Sequence, residues 1–294
     1  MDYEIIYNEN SILGECPTWD AKTQRLFWID GLGKKVHIFD PASNNNISFE
    51  ISQPIGSLSL SNKDGVIILA LQNGIYEFNT NNGEIKPYLT LEDELPGNRF
   101  NDGKCDSQGR FWFGSMNTEA NSGSSECAAT GSVYCLSAKK IIKVFSNVTI
   151  SNGMGWDFGN RHFYYIDSSQ KLVFTFDYDS ISGQLKNRRI VVDLKSKKNE
   201  LPDGMAVDSH GMLWVAIWGG FRVCRFNPQN GSCLDEIVFP VKNITSCAFG
   251  GKNLDELYVT SSNIDAEGME KELAGALFRV KTGIVGMQSH RFIF

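Results

Sequence analysis

The sequence predicts an all-β fold: a six-bladed β-propeller, built as a single domain from residues 1–294, around a central metal-containing channel. Three observations predict it. A short apolar strand recurs six times at steps of 40, 45, 52, 50 and 44 residues, taking Phe27, Ile67, Trp112, Tyr164, Trp214 and Tyr258 as anchors. Six units of about this length, each with roughly four short strands, suit a propeller. No segment carries a sustained helical period. Finally, four polar side chains beside Gly or Pro turns occupy matching places in four of the units: Glu15, Asn101, Asn152 and Asp203.

The repeated strand reads Leu26–Asp30, Val66–Ala70, Phe111–Gly114, Phe163–Asp167, Leu213–Ala216 and Leu257–Thr260. An edge-like strand is expected after each: Val36–Pro41, Gly74–Phe78, Ser132–Leu136, Val173–Asp177, Arg222–Phe226 and Ala276–Val280. Their alternation has the period of two expected of half-buried strands. Turn dipeptides such as Asp64-Gly65, Asn82-Gly83, Gln108-Gly109 and Asn230-Gly231 separate the strands. The first candidate, Tyr3–Tyr7, is apolar enough to complete the last blade and close the ring. A linear solenoid would need atypical polar caps instead. Residues 117–131 are small and polar and read as a mobile loop.

Composition narrows the function. The 28 Lys and Arg against 34 Asp and Glu give a net charge of −6, which argues against general nucleic-acid affinity. No apolar run approaches the roughly 18 residues of a membrane span, and Met1-Asp2-Tyr3-Glu4 has no leader character. A cytoplasmic protein is expected, a monomer or weak dimer, with no nucleic-acid or membrane partner. The seven cysteines lack C-x-x-C spacing and are expected to be buried, reduced thiols.

In a propeller the innermost strands line the channel, so the four polar groups converge at one mouth. Carboxylate and amide oxygens suit a hard divalent cation, with positions left for water and substrate. The four histidines, at 37, 162, 210 and 290, stand apart from the acidic positions, which disfavours a dedicated zinc site. G-x-S-x-G, P-loop and G-x-G-x-x-G motifs are absent. Arg99, two residues before Asn101, shares its strand face. Its guanidinium is suited to hydroxyl or carboxylate groups of a substrate. Glu119 is placed to reach over the mouth as part of a lid.

Gly14-Glu15-x-Pro17-x-Trp19, Asn98–Lys104, Ile150–Gly153, Phe163–Ser168, Pro202–Met205 and Thr245–Asn253 together resemble the regucalcin (senescence marker protein)/gluconolactonase family, in its animal branch that includes luciferin-regenerating proteins. The resemblance spans about residues 4–286. It implies one divalent metal ion (Ca, Zn, Mn or Mg) on Glu15, Asn152 and Asp203. It also implies that Arg99, Asn101 and Glu119 bind a small-molecule sugar lactone. The expected activity is metal-dependent lactone hydrolysis, with Asp203 as both ligand and general base. A calcium-binding regulator or a luciferin-regenerating-like protein would use the same oxygens. A propeller interaction platform would need no metal.

Overall fold

The structure, a computed structural model, describes residues 2–119 and 128–294. Six four-stranded antiparallel sheets form the six blades. The chain begins with β1 (Tyr3–Tyr7), the outer strand of the last blade. Blade one is β2 (Gly14–Asp20), β3 (Arg25–Asp30), β4 (Lys35–Asp40) and β5 (Asn45–Glu50). Blade two is β6 (Ile55–Leu60), β7 (Val66–Leu71), β8 (Gly74–Asn79) and β9 (Ile85–Thr90). Blade three is β10 (Asn98–Cys105), β11 (Phe111–Asn117), β12 (Gly131–Ser137) and β13 (Lys140–Val148). Blade four is β14 (Ser151–Trp156), β15 (His162–Asp167), β16 (Leu172–Tyr178) and β17 (Leu185–Asp193). Blade five is β18 (Leu201–Val207), β19 (Leu213–Trp218), β20 (Arg222–Phe226) and β21 (Cys233–Val238). Blade six is β22 (Ile244–Gly250), β23 (Glu256–Ser261), β24 (Leu277–Lys281) and β1.

The ring closes as the sequence predicts. Tyr3 pairs with Val280 and Glu4 with Arg279, so the two ends of the propeller share one sheet. Among the described residues the only helical segments are short 3-10 turns, such as Ser168–Gln170 and Gly268–Glu272. No helix is long and apolar enough to cross a membrane.

The six anchors all lie on the second strand of their blades, where both faces are covered. Trp28, Trp112, Trp214 and Tyr258 are fully buried between neighbouring sheets. A buried indole N–H is stabilised by an acceptor, and two blades supply one in the same way. Trp112 Nε1 donates to Asp106 Oδ2 at 2.7 Å, and Trp214 Nε1 donates to Asp208 Oδ2 at 3.0 Å. The same carboxylates organise the preceding turns through Oδ1, which accepts from the Arg110 and Met212 backbone N–H groups. One Asp thus fixes both the turn and the anchor.

Two expectations are corrected. The strands expected to be edge-like (β4, β8, β12, β16, β20 and β24) are third in their sheets, hydrogen-bonded on both sides. Their side chains are largely buried on both faces, as in β12, because each blade packs against two neighbours. The real edges are β1, β5, β9, β13, β17 and β21, which are more polar and tolerate exposure. Among the cysteines, Cys16, Cys105, Cys135, Cys224 and Cys247 are buried free thiols, but Cys233 is exposed on edge strand β21. Cys127 lies outside the described residues, as does much of the loop expected at 117–131.

Residues 284–294 close one end of the channel. Val285 and Phe292 carbonyls accept from Ser209 and Asn62, and the Ile293 N–H donates to the Gly109 carbonyl. The segment therefore crosses the turns of blades five, two and three, with Phe292 fully buried. Only ≈ 80 Å³ remains beneath it, between Lys104, Phe249 and Met287–His290.

Candidate functional site

The inner strands β2, β6, β10, β14, β18 and β22 pack side by side around the channel. Each of them slips register against its second strand at the same depth. In blade one Glu15 faces Ile29 but Thr18 faces Phe27, so Cys16 and Pro17 oppose Trp28 alone. Equivalent bulges place Asn101 and Asp102 opposite Gly114, Asn152 and Gly153 opposite Ile166, and Asp203 and Gly204 opposite Ala216. A bulge locally raises the twist and re-aims side chains. The polar groups therefore lie inside the inner strands, not ahead of a strand as the turn-like segments imply.

The bulge of blade four also needs glycine. A Cβ on Gly153 would lie 2.7 Å from the Asp203 carbonyl oxygen and 2.8 Å from Met205 Cβ. β14 and β18 could not then approach closely enough to bring Asn152 and Asp203 together. Cys16 adopts a left-handed φ of 51° beside Glu15, and its N–H donates to Glu15 Oε2 at 3.2 Å.

Glu15, Arg99, Asn101, Asn152 and Asp203 all line one cavity of ≈ 270 Å³ and are all buried. Asn152 Nδ2 donates to Ser168 Oγ at 2.9 Å, and Ser168 Oγ donates to the Pro202 carbonyl at 2.6 Å. This turns Asn152 so that Oδ1 is its free atom. Among the described residues, buried Asn152 Oδ1 and Asp203 Oδ1 have no hydrogen-bond partner. Asn101 is engaged on both sides: Oδ1 accepts from Arg99 Nη1 at 2.7 Å and Nδ2 donates to the Ser151 carbonyl at 2.7 Å. Its amide orients the guanidinium.

The electrostatics are strained. Burial, then Asp102, push the Glu15 carboxyl up to about 8, against the Cys16 N–H and Arg99. Burial, then Glu15 and Asp102, raise Asp203 well above the ordinary carboxylate range. Burial lowers Arg99 to about 10 although Glu15 and Asp203 pull it up. Two carboxylates crowd a low-dielectric space with no cation within ion-pair distance among the described residues.

These residues fit a divalent cation. The donors are two carboxylates and an amide, and two of their oxygens are buried and unpaired. Among the described residues no three His, Cys, Asp or Glu side chains form such a group, so the amide of Asn152 is essential to the set. All-oxygen donors favour a hard ion.

Glu119 is placed differently. It follows β11, is exposed, and its N–H donates to Asn117 Oδ1 at 2.9 Å. It does not line the cavity, and the residues after it lie outside those described. Ser168 and Asp102 were not singled out from the sequence. Ser168 directly follows β15, whose apolar run hides it. Asp102 is buried within electrostatic reach of Glu15 and Asp203, at a bulge that presents two consecutive residues.

Fold and site together define a β-propeller with a blind channel whose open mouth carries an oxygen-rich pocket. Residues 13–263 match the SMP-30/Gluconolactonase/LRE-like region family, and the chain belongs to that family. It is 36% identical to a regucalcin of Xenopus laevis, over 92% of this chain and 88% of that one. It is 33% identical to YvrE of Bacillus subtilis, named for a proposed sugar lactone lactonase activity, over 98% of this chain and 97% of that one. A luciferin-regenerating enzyme superimposes with a TM-score of 0.93 at 30% identity, covering 100% of this chain and 99% of that one.

Proposed function

We propose that this protein hydrolyses lactones with one divalent cation held by Glu15, Asn152 and Asp203. The observation that carries the reading is the pair of buried, unpartnered oxygens, Asn152 Oδ1 and Asp203 Oδ1, beside a carboxylate that burial alone would neutralise. Leaving such groups unpaired costs about 1–3 kcal/mol each, a cost a bound cation offsets. Family membership supports the lactonase class.

When bound, the cation supplies Lewis acidity toward the lactone carbonyl. Asp203 takes a proton from the attacking water as it adds to the carbonyl carbon, and returns one to the ring oxygen when the C–O bond breaks. The product is the open hydroxy acid. Asp203 lies in the same cavity as Arg99, where a carboxylate beside the reacting water is in reach to act as base. Arg99, fixed by Asn101, holds polar groups of the substrate. Glu119 joins this set only as an expectation from the resemblance.

The test is to strip metal from the protein and add back Ca²⁺, Zn²⁺, Mn²⁺ or Mg²⁺ while following ring opening of D-glucono-1,5-lactone. Restoration by at least one ion is expected. Calorimetric metal titration should show weakened binding in Asn152→Ala, with activity partly rescued by excess cation. Arg99→Ala should raise KM with metal affinity unchanged, since a guanidinium cannot ligate a cation. Full activity without metal, or equal loss of metal in both variants, would overturn the assignment.

A further inference from the structure

One residue pair nearer the open mouth, the channel changes character. Side chains two apart on a strand share a face, about 6.6 Å apart. Stepping back by two from Glu15, Asn101, Asn152 and Asp203 reaches Leu13, Arg99, Ile150 and Leu201, and all four line the same cavity. The second tier is thus three aliphatic side chains and one guanidinium. Pairing extends it: Met116 lies opposite Arg99, and Trp218 opposite Leu201. Ile264, two residues beyond the Leu13–Ser262 bridge, completes the rim. Ile150, Leu201, Trp218 and Ile264 are only partly buried and face the cavity with nothing else seated on them among the described residues.

We propose that the site takes an amphipathic lactone, one whose polar edge meets Arg99 while an alkyl or aryl substituent lies against Leu201, Trp218 and Ile264. This rests on the lactonase reading for the position of the ring. A fully hydroxylated ring would place hydroxyls against the aliphatic tier, where they lose water and gain no partner. An apolar substituent there gains burial without that loss. The cavity of ≈ 270 Å³ has room for a ring with a short side chain. Asp265 is an exposed polar group at its outer edge, and the polar anchor at this tier is Arg99.

The test uses non-hydrolysable lactams on the calcium-loaded, full-length chain: δ-valerolactam, its 6-pentyl derivative and D-gluconolactam, measured by calorimetry. The corresponding lactones are assayed for turnover in parallel. The pentyl lactam is expected to bind at least tenfold more tightly than δ-valerolactam, since each well-buried methylene counts for severalfold or more. Trp218→Ala should cut that ratio at least threefold, with the matching change in KM and little in kcat. Ile264→Ser, at the rim, provides the same measurement should Trp218→Ala fold poorly. Tightest binding by gluconolactam, no advantage from the pentyl group, or no lactam binding at all overturns the proposal. A pentyl advantage without turnover of any lactone upholds the ligand class and sinks the lactonase reading instead.

Discussion

The two ends of the channel treat charge in opposite ways. At the closed end three buried carboxylates each hold a cation. Asp106 binds Arg110 Nε at 2.6 Å, Asp208 binds Arg225 Nη2 at 2.7 Å, and Asp20 binds Arg291 of the closing segment. Asp106 also accepts from Trp112 and Tyr178, and Arg110 reaches the Ser180 carbonyl, so one group ties blade three to blade four. At the open end Glu15 and Asp203 are also buried, yet neither has an ion-pair partner among the described residues. The difference teaches where stability and function are separated. The closed-end carboxylates Asp106, Asp208 and Asp20 are paired within the chain. Those at the open end remain poised for something the chain does not supply.

Breaking each end should therefore give opposite outcomes. The largest effect is expected from Asp203→Ala, which removes a ligand and the base together. Lactone turnover should fall by about 10³-fold or more, while the metal-free protein melts no lower than wild type, because a crowded buried carboxylate has gone. Near wild-type kcat/KM, or a collapsed melt, would erase the contrast.

Next comes Asp106→Ala at the closed end. It leaves Arg110 buried without its counter-charge and strips the indole N–H of its acceptor. Removing one partner of a buried pair costs about 3–5 kcal/mol. Denaturant unfolding should show that loss while kcat stays close to wild type. A change in kcat as large as that for Asp203→Ala would mean that the two ends are coupled.

The smallest expected effect is a pH slope in the metal-free protein. Glu15 ionises near 4.5 in an unfolded chain but near 8 in the fold. A raised acid favours folding while protonated, so its contribution is full below 4.5 and is lost as pH rises through about 8. His37 acts the other way: burial lowers it to about 4, so its stability loss is confined to falling pH below 6.5. Between pH 6.5 and 9 the melting temperature of chelator-treated protein should decline, and millimolar Ca²⁺ should flatten the decline. A flat profile without metal would remove the electrostatic strain argued for the open end.

Blade number, ring closure by Tyr3–Tyr7 and the convergence of Glu15, Asn101, Asn152 and Asp203 on one cavity were all legible in the sequence. They depend on local signals: an anchor strand every 40 to 52 residues, turn dipeptides between strands, and a polar residue beside glycine or proline. Local pattern could not distinguish a third strand from an edge, because β4 and β5 differ in what packs on them, not in their own period. The bulges were hidden too. They arise from pairing between strands, and they place Asp102 within electrostatic reach of Glu15 and Asp203 and make Gly153 indispensable. Tertiary structure also decided which oxygens remain unpaired. Asn152 Oδ1 is free because Ser168, held by the Pro202 carbonyl of the next blade, has taken the other end of the amide. The sequence determined which groups converge. Long-range packing determined which of them are spent inside the fold and which are left for a ligand, since hydrogen-bond satisfaction depends on neighbours distant in the chain.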